Sequence, residues 1–123
     1  MTVRALVVGS FVTGALALAL SQEAGAAALY FEKTLVKTGS EKTCLRFAGD
    51  VARNQQFKNV HKGPLEVAGE KDGAYVAITC VGRPNQRAMA VVMSAADSFD
   101  VAKRVGHEAA SQIKGIICFD TPC

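Results

Sequence analysis

The stretch that most restricts the fold runs from Leu65 to Ala95, where three apolar runs are separated by turn-forming residues. "LEVAG", "AYVAITCVG" and "RAMAVVMSA" have the length and β-branched content of strands, and "EKDG" and "RPNQ" lie between them. Neighbouring strands joined by such short turns pair antiparallel, so the segment predicts a meander. If "EKDG" closes a hairpin, Val67 opposes Val76 and Leu65 opposes Ile78. If "RPNQ" closes the next, Cys80 opposes Met89, Ile78 opposes Val91 and Val76 opposes Met93. All of these residues are apolar and would share one face, the expected core. Alternation then puts Tyr75, Ala77, Thr79, Ala88 and Ala90 on the opposite face.

The flanking segments supply the layer that covers such a sheet. "LYFEKTLVK" (Leu29–Lys37) reads as a further strand. In "TGSE", Thr38 and Glu41 have capping-box spacing, and the helix predicted from Ser40 to Gln55 carries Cys44, Ala48, Val51 and Ala52 on one side. "NVHKGP" reads as a loop or short extended piece. A last helix, with Asp97 as its N-cap, places Ala102, Val105, Ala109 and Ile113 on one stripe and ends near Gly115. The expected fold is a single α+β domain: a four-stranded, mainly antiparallel sheet with two helices packed on one face, in the order β-α-β-β-β-α. If "GIICF" adds an edge strand, the arrangement becomes ferredoxin-like.

Residues 1–26 are expected to lie outside this domain. Met1–Arg4 is short and basic, Ala5–Leu20 has no charge, and small residues follow, which is the order of a cleaved signal peptide. The alternative is a membrane-spanning helix. Ala5–Leu20 as a helix would reach only about 24 Å, short of a roughly 30 Å hydrocarbon core. Cleavage after Ala26 would leave a domain over residues 27–123, exported to a periplasmic or extracellular compartment, with no stable membrane anchor. The chain has no Asn-x-Ser/Thr site, which is compatible with a bacterial origin.

Export also sets the reading of the cysteines. Four cysteines in an oxidising compartment predict two disulfides. Cys44 falls on the buried side of the first helix and Cys80 on the expected core face of the sheet, so the preferred pairing is Cys44–Cys80 with Cys118–Cys123. A redox dithiol would be expected as Cys-x-x-Cys at a helix start, and zinc would need closely spaced Cys or His pairs. The sequence has neither, and no metal or cofactor is expected.

Few other residues invite a functional reading. The net charge of +3 is mixed with acidic residues throughout, so no basic stripe points to nucleic acid. Arg53, Lys58, His61 and Lys62 could form an anion-binding loop; an ordinary solvated loop is the competing reading. His107 falls on the polar side of the last helix, with Ser111 one turn on, and no motif ties a nucleophile to it. The remaining surface is the outer side of the sheet, expected to present Tyr75, Ala77, Thr79, Ala88, Ala90 and Val92. Small and weakly polar, it suits either water or a protein partner, which includes self-association. The functional expectation is therefore a small exported binding or accessory module without catalysis, the alternative being a thiol-redox factor or small enzyme.

Overall fold

The structure, a computed structural model, describes residues 27–118. The expected signal segment and Cys123 lie outside the described residues. Five strands and two helices follow one another as β1 (Ala28–Leu35), α1 (Glu41–Asn54), β2 (Lys58–Lys62), β3 (Glu66–Lys71), β4 (Ala74–Val81), β5 (Met89–Ala96) and α2 (Phe99–Gly115). The strands form one antiparallel sheet in the order β1-β5-β4-β3-β2. The α+β class and the meander agree with the sequence, but the sheet has five strands rather than four. The additional strand is β2, from the segment read as a loop or short extended piece.

Local chemistry places the element ends. Ser40 caps α1 by accepting from the Thr43 backbone N–H at 3.1 Å, and Ser98, one residue after the expected Asp97, caps α2 through Val101 N–H. At the far end of α1 the Phe57 N–H bonds back to the Ala52 carbonyl, and Gln56 takes a positive φ of 58° to allow it. The β3–β4 hairpin turns on two residues only. Asp72 and Gly73 have φ of 50° and 80°, the double left-handed conformation that matches the twist of the flanking strands. That tighter turn sets Lys71 opposite Ala74 and Val67 opposite Ile78, not Val76.

The register of β5 is the second correction. Cys80 pairs with Ala90, Ile78 with Val92 and Val76 with Ser94. The side chains toward the helices are therefore Ala90, Val92, Ser94 and Ala96, and those pointing away are Met89, Val91, Met93 and Ala95. Ala88, Ala90 and Val92, expected outside, are fully buried. The connection Gly82–Ala88 has an odd number of residues rather than the four assumed, and one residue of slip exchanges the faces of a whole strand. The exchange has a packing reason. α2 lies on β1 and β5, and its buried side carries Ala102, Gly106, Ala109 and Ala110 beside Val105 and Ile113. A Cβ at Gly106 would stand 2.7 Å from Tyr30 Cδ1 and 3.1 Å from Ser94 Cβ. Methionines at the Ser94 and Ala90 positions, as the expected register would place them, would hold the helix away.

α1 covers β3 and β4. The Cys44–Cys80 disulfide is formed and joins α1 to β4, with both residues essentially inaccessible. Cys118 is also disulfide-bonded, and its expected partner Cys123 lies outside the described residues.

Candidate functional site

Both helices pack on the same side of the sheet, so its other side is bare in the described chain. Its outward residues line up in cross-strand rows. One row reads Leu29, Ala95, Tyr75, Glu70; the next Phe31, Met93, Ala77, Ala68; the next Lys33, Val91, Thr79, Glu66; and the last Leu35, Met89, Val81. The large members stand proud: Leu29 is 64% exposed, Phe31 and Tyr75 52%, and Met93 47%. Four strands at about 4.8 Å and seven residues at about 3.4 Å give a footprint of roughly 400 Å², the size at which an apolar patch on a monomer signals an interaction site. Of the residues expected on this surface, Tyr75, Ala77 and Thr79 lie on it, while Ala88, Ala90 and Val92 lie in the core. Their places are taken by Met89, Val91 and Met93 of the same strand and by Leu29, Phe31 and Leu35 of β1.

Charge is confined to the borders of the face. Lys33 lies on β1 with its ammonium 5.8 Å from the Phe31 ring centre, and Glu66 and Glu70 lie on β3. Among the described residues neither Lys33 nor Glu66 forms an ion pair.

The expected anion loop is not assembled. Lys58, His61 and Lys62 belong to edge strand β2, where Lys58 opposes Glu70 and His61 opposes Ala68 across a bulge. Asn59 donates to Glu70 at 3.0 Å, and Arg53, on α1, pairs with Asp50. A bulged edge carrying two lysines resists pairing with another strand, so the sequence of β2 has a structural role.

A cluster that the sequence did not announce lies on the helix side. Glu32 of β1 accepts from the Tyr30 hydroxyl and from His107 Nδ1 at 2.8 Å, and His107 Nε2 lies 3.4 Å from Ser111 Oγ. Burial pushes the Glu32 carboxyl up, but the hydrogen bonds from Tyr30 and His107 and the charges of His107 and Lys114 outweigh it, leaving it below its ordinary value. The Tyr30 hydroxyl is raised by its bond to Glu32, then by burial and by the Glu32 charge. Serine, histidine and glutamate in this order resemble a nucleophile, a base and an orienting acid. The surroundings do not complete that chemistry. Ser111 lies in the body of α2, where backbone N–H groups are spent on the helix. The N-terminal donors of α2 begin at Phe99, about 18 Å away along the axis. The nearer end is the carbonyl end, whose partial negative charge opposes an oxyanion. The cluster therefore fastens α2 to β1 through a charged hydrogen bond. No sequence periodicity relates Glu32 to His107, which are 75 positions apart.

An open cleft of about 750 Å³ lies where the β3–β4 turn meets the end of α1, with Gln55, Lys58, Lys71, Asp72 and Asp97 on its walls. Its charges are of both signs, and two are paired within the fold: Arg104 with Asp72 at 3.1 Å and Lys71 with Glu108 at 3.9 Å. It therefore focuses no single charge. No group of three or more His, Cys, Asp or Glu residues among the described residues could hold a metal ion. No helix of the described residues is long and apolar enough to cross a membrane. No family model matches the chain, no curated protein matches it, and no solved structure matches it.

Proposed function

We propose that this chain is an exported, disulfide-braced binding module that works through the uncovered face of its sheet and performs no catalysis. The observation that carries the reading is the contiguity of that face. Exposed Leu29, Phe31, Tyr75 and Met93 are neighbours in two adjacent cross-strand rows, not single residues scattered over a surface, and Leu35 follows beyond the Lys33 row. A fold of this size gains nothing by leaving such a patch in water, and one layer of helices on the other side already suffices for its core. Export rests on the apolar segment Ala5–Leu20 and on an inaccessible disulfide that suits an oxidising compartment. The same inaccessibility keeps Cys44–Cys80 out of thiol exchange, because a partner thiolate must reach the sulfur it attacks, so the alternative thiol-redox role would fall to Cys118 with Cys123.

Met93 provides a direct test. Hydroxyl-radical footprinting compares its oxidation in the freshly opened native compartment with that in the isolated, dilute protein. Protection in the native setting is expected. Equal oxidation in both settings would mean that the face works bare, and would sink the reading.

A further inference from the structure

The outward face is complementary to itself, and we infer that its occupant is a second copy of this chain, stacked sheet on sheet about a two-fold axis. The inference rests on the binding reading above and names the partner. Two orientations of such an axis are open to a face-to-face pair. An axis in the sheet plane but across the strands would stack β1 on β1 and β3 on β3. It would gather Lys33 with Lys33 and the Glu66 and Glu70 pairs of the two copies together, like charge against like. An axis parallel to the strands and midway between β5 and β4 does the reverse. It lays each row over the same row of the partner in the opposite sense, so that β5 covers β4 and β1 covers β3.

In that arrangement Lys33 faces Glu66 of the other copy, and symmetry repeats the pair. These are charges that form no ion pair within the described chain. Size is complementary as well. Met93 comes over Ala77, Tyr75 over Ala95 and Phe31 over Ala68, so three protruding side chains meet short ones; Val91 and Thr79 meet beside the axis, and Leu29 lies over Glu70 at the margin. Aligned sheets pack about 10 Å apart with their strands about 30° askew. At the distance of β1 from the axis this moves facing rows by about 4 Å, less than the roughly 7 Å between rows, and the long Lys33 side chain spans the difference. Two footprints of roughly 400 Å² bury about 800 Å² in total, in the class of weak, transient interfaces, so the dissociation constant is expected at about 10 μM or weaker.

Sedimentation equilibrium from about 1 μM to about 300 μM covers that range. The wild type is expected to pass from monomer to dimer. Lys33→Glu and Glu66→Lys each place two like-charged pairs across the axis and are expected to weaken the dimer at least tenfold. The double swap, Lys33→Glu with Glu66→Lys, is expected to restore it to within about threefold of the wild type. Thr79→Arg, beside the axis, is expected to leave a folded monomer by circular dichroism. A wild type that is monomeric at the highest concentration overturns the inference. So does a dimer that ignores the single swaps, or one that the double swap fails to rescue; such a dimer uses another surface, the β1 edge being the nearest. A monomeric wild type whose Met93 is still protected in its native compartment would leave the binding reading standing and assign the face to a different protein.

Discussion

Removing the Cys44–Cys80 bridge should reveal how much of this fold's stability depends on restricting the unfolded chain. The two cysteines are 36 positions apart. Closing a loop of that length removes unfolded-state entropy equivalent to about 4 kcal/mol at 25 °C. A domain of this size has roughly 5–14 kcal/mol in total, so the double variant Cys44→Ala, Cys80→Ala should lose a large part of it. Its melting temperature should fall by roughly 15–30 °C. The two missing sulfurs leave small voids, since both sites are closed to solvent, and these add to the loss. Urea unfolding separates the two contributions. A void acts on the folded state and leaves the denaturant slope unchanged, whereas a released cross-link lets the unfolded chain expand and steepens it. A loss below about 2 kcal/mol, or any loss with an unchanged slope, would refute the argument that the bridge acts on the unfolded state.

The contact between α2 and the sheet yields two opposed expectations. Ser94 is buried and its hydroxyl has no partner, so Ser94→Ala should be neutral or stabilising by up to about 1 kcal/mol in urea titrations; a loss above that would indicate an unseen hydrogen bond. Gly106→Ala drives a methyl into Tyr30 and Ser94 and should cost about 1–3 kcal/mol despite alanine's better helix propensity, and a gain would show that the helix can shift outward freely. Glu32 sets the acid limit of the α2–β1 junction. Its carboxyl lies lower in the folded than in the unfolded chain, so its contribution is complete above the ordinary glutamate value of 4.5 and is lost as pH falls through the folded value. The stability difference between wild type and Glu32→Gln should therefore shrink below about pH 4.5, and a difference that holds constant down to strong acid would remove Glu32 from that role.

The parts of the fold legible in the sequence were those governed by local chemistry. Period-two runs marked β3, β4 and β5, period 3.6 marked both helices, and Gly73 marked a turn. The Cys44–Cys80 pairing followed because each cysteine fell on the buried side of its own element, independently of the strand register. Register and face were less legible because alanine suits either side of a sheet. In "RAMAVVMSA" the larger residues suggested a core face, whereas the close approach of Gly106 called for the smaller ones. The uncovered surface was legible in kind but displaced by one residue along β5, so Met89, Val91 and Met93 took the places given to Ala88, Ala90 and Val92. β1 was read as a strand, but nothing local indicated that it would lie beside β5 and extend the apolar surface. Glu32 with His107 depended wholly on that distant pairing.

That pairing also governs the order in which the chain can be completed. Among the described residues β5 is the one strand that pairs with β1, and its residues lie between 54 positions (Leu35 to Met89) and 68 positions (Ala28 to Ala96) downstream. A chain emerging N-terminus first, from a ribosome or a secretion channel, presents β1 early with no strand to receive it. The β3–β4 hairpin can close as soon as Lys71 and Ala74 are out, and α1 can settle on it and bring Cys44 toward Cys80. Throughout that interval Leu29, Phe31 and Leu35 stay on an unpaired eight-residue segment, a ready target for a holding chaperone. The oxidation of Cys44 with Cys80 can therefore precede the docking of β1, and a chain halted before Met89 would be bridged but unfinished.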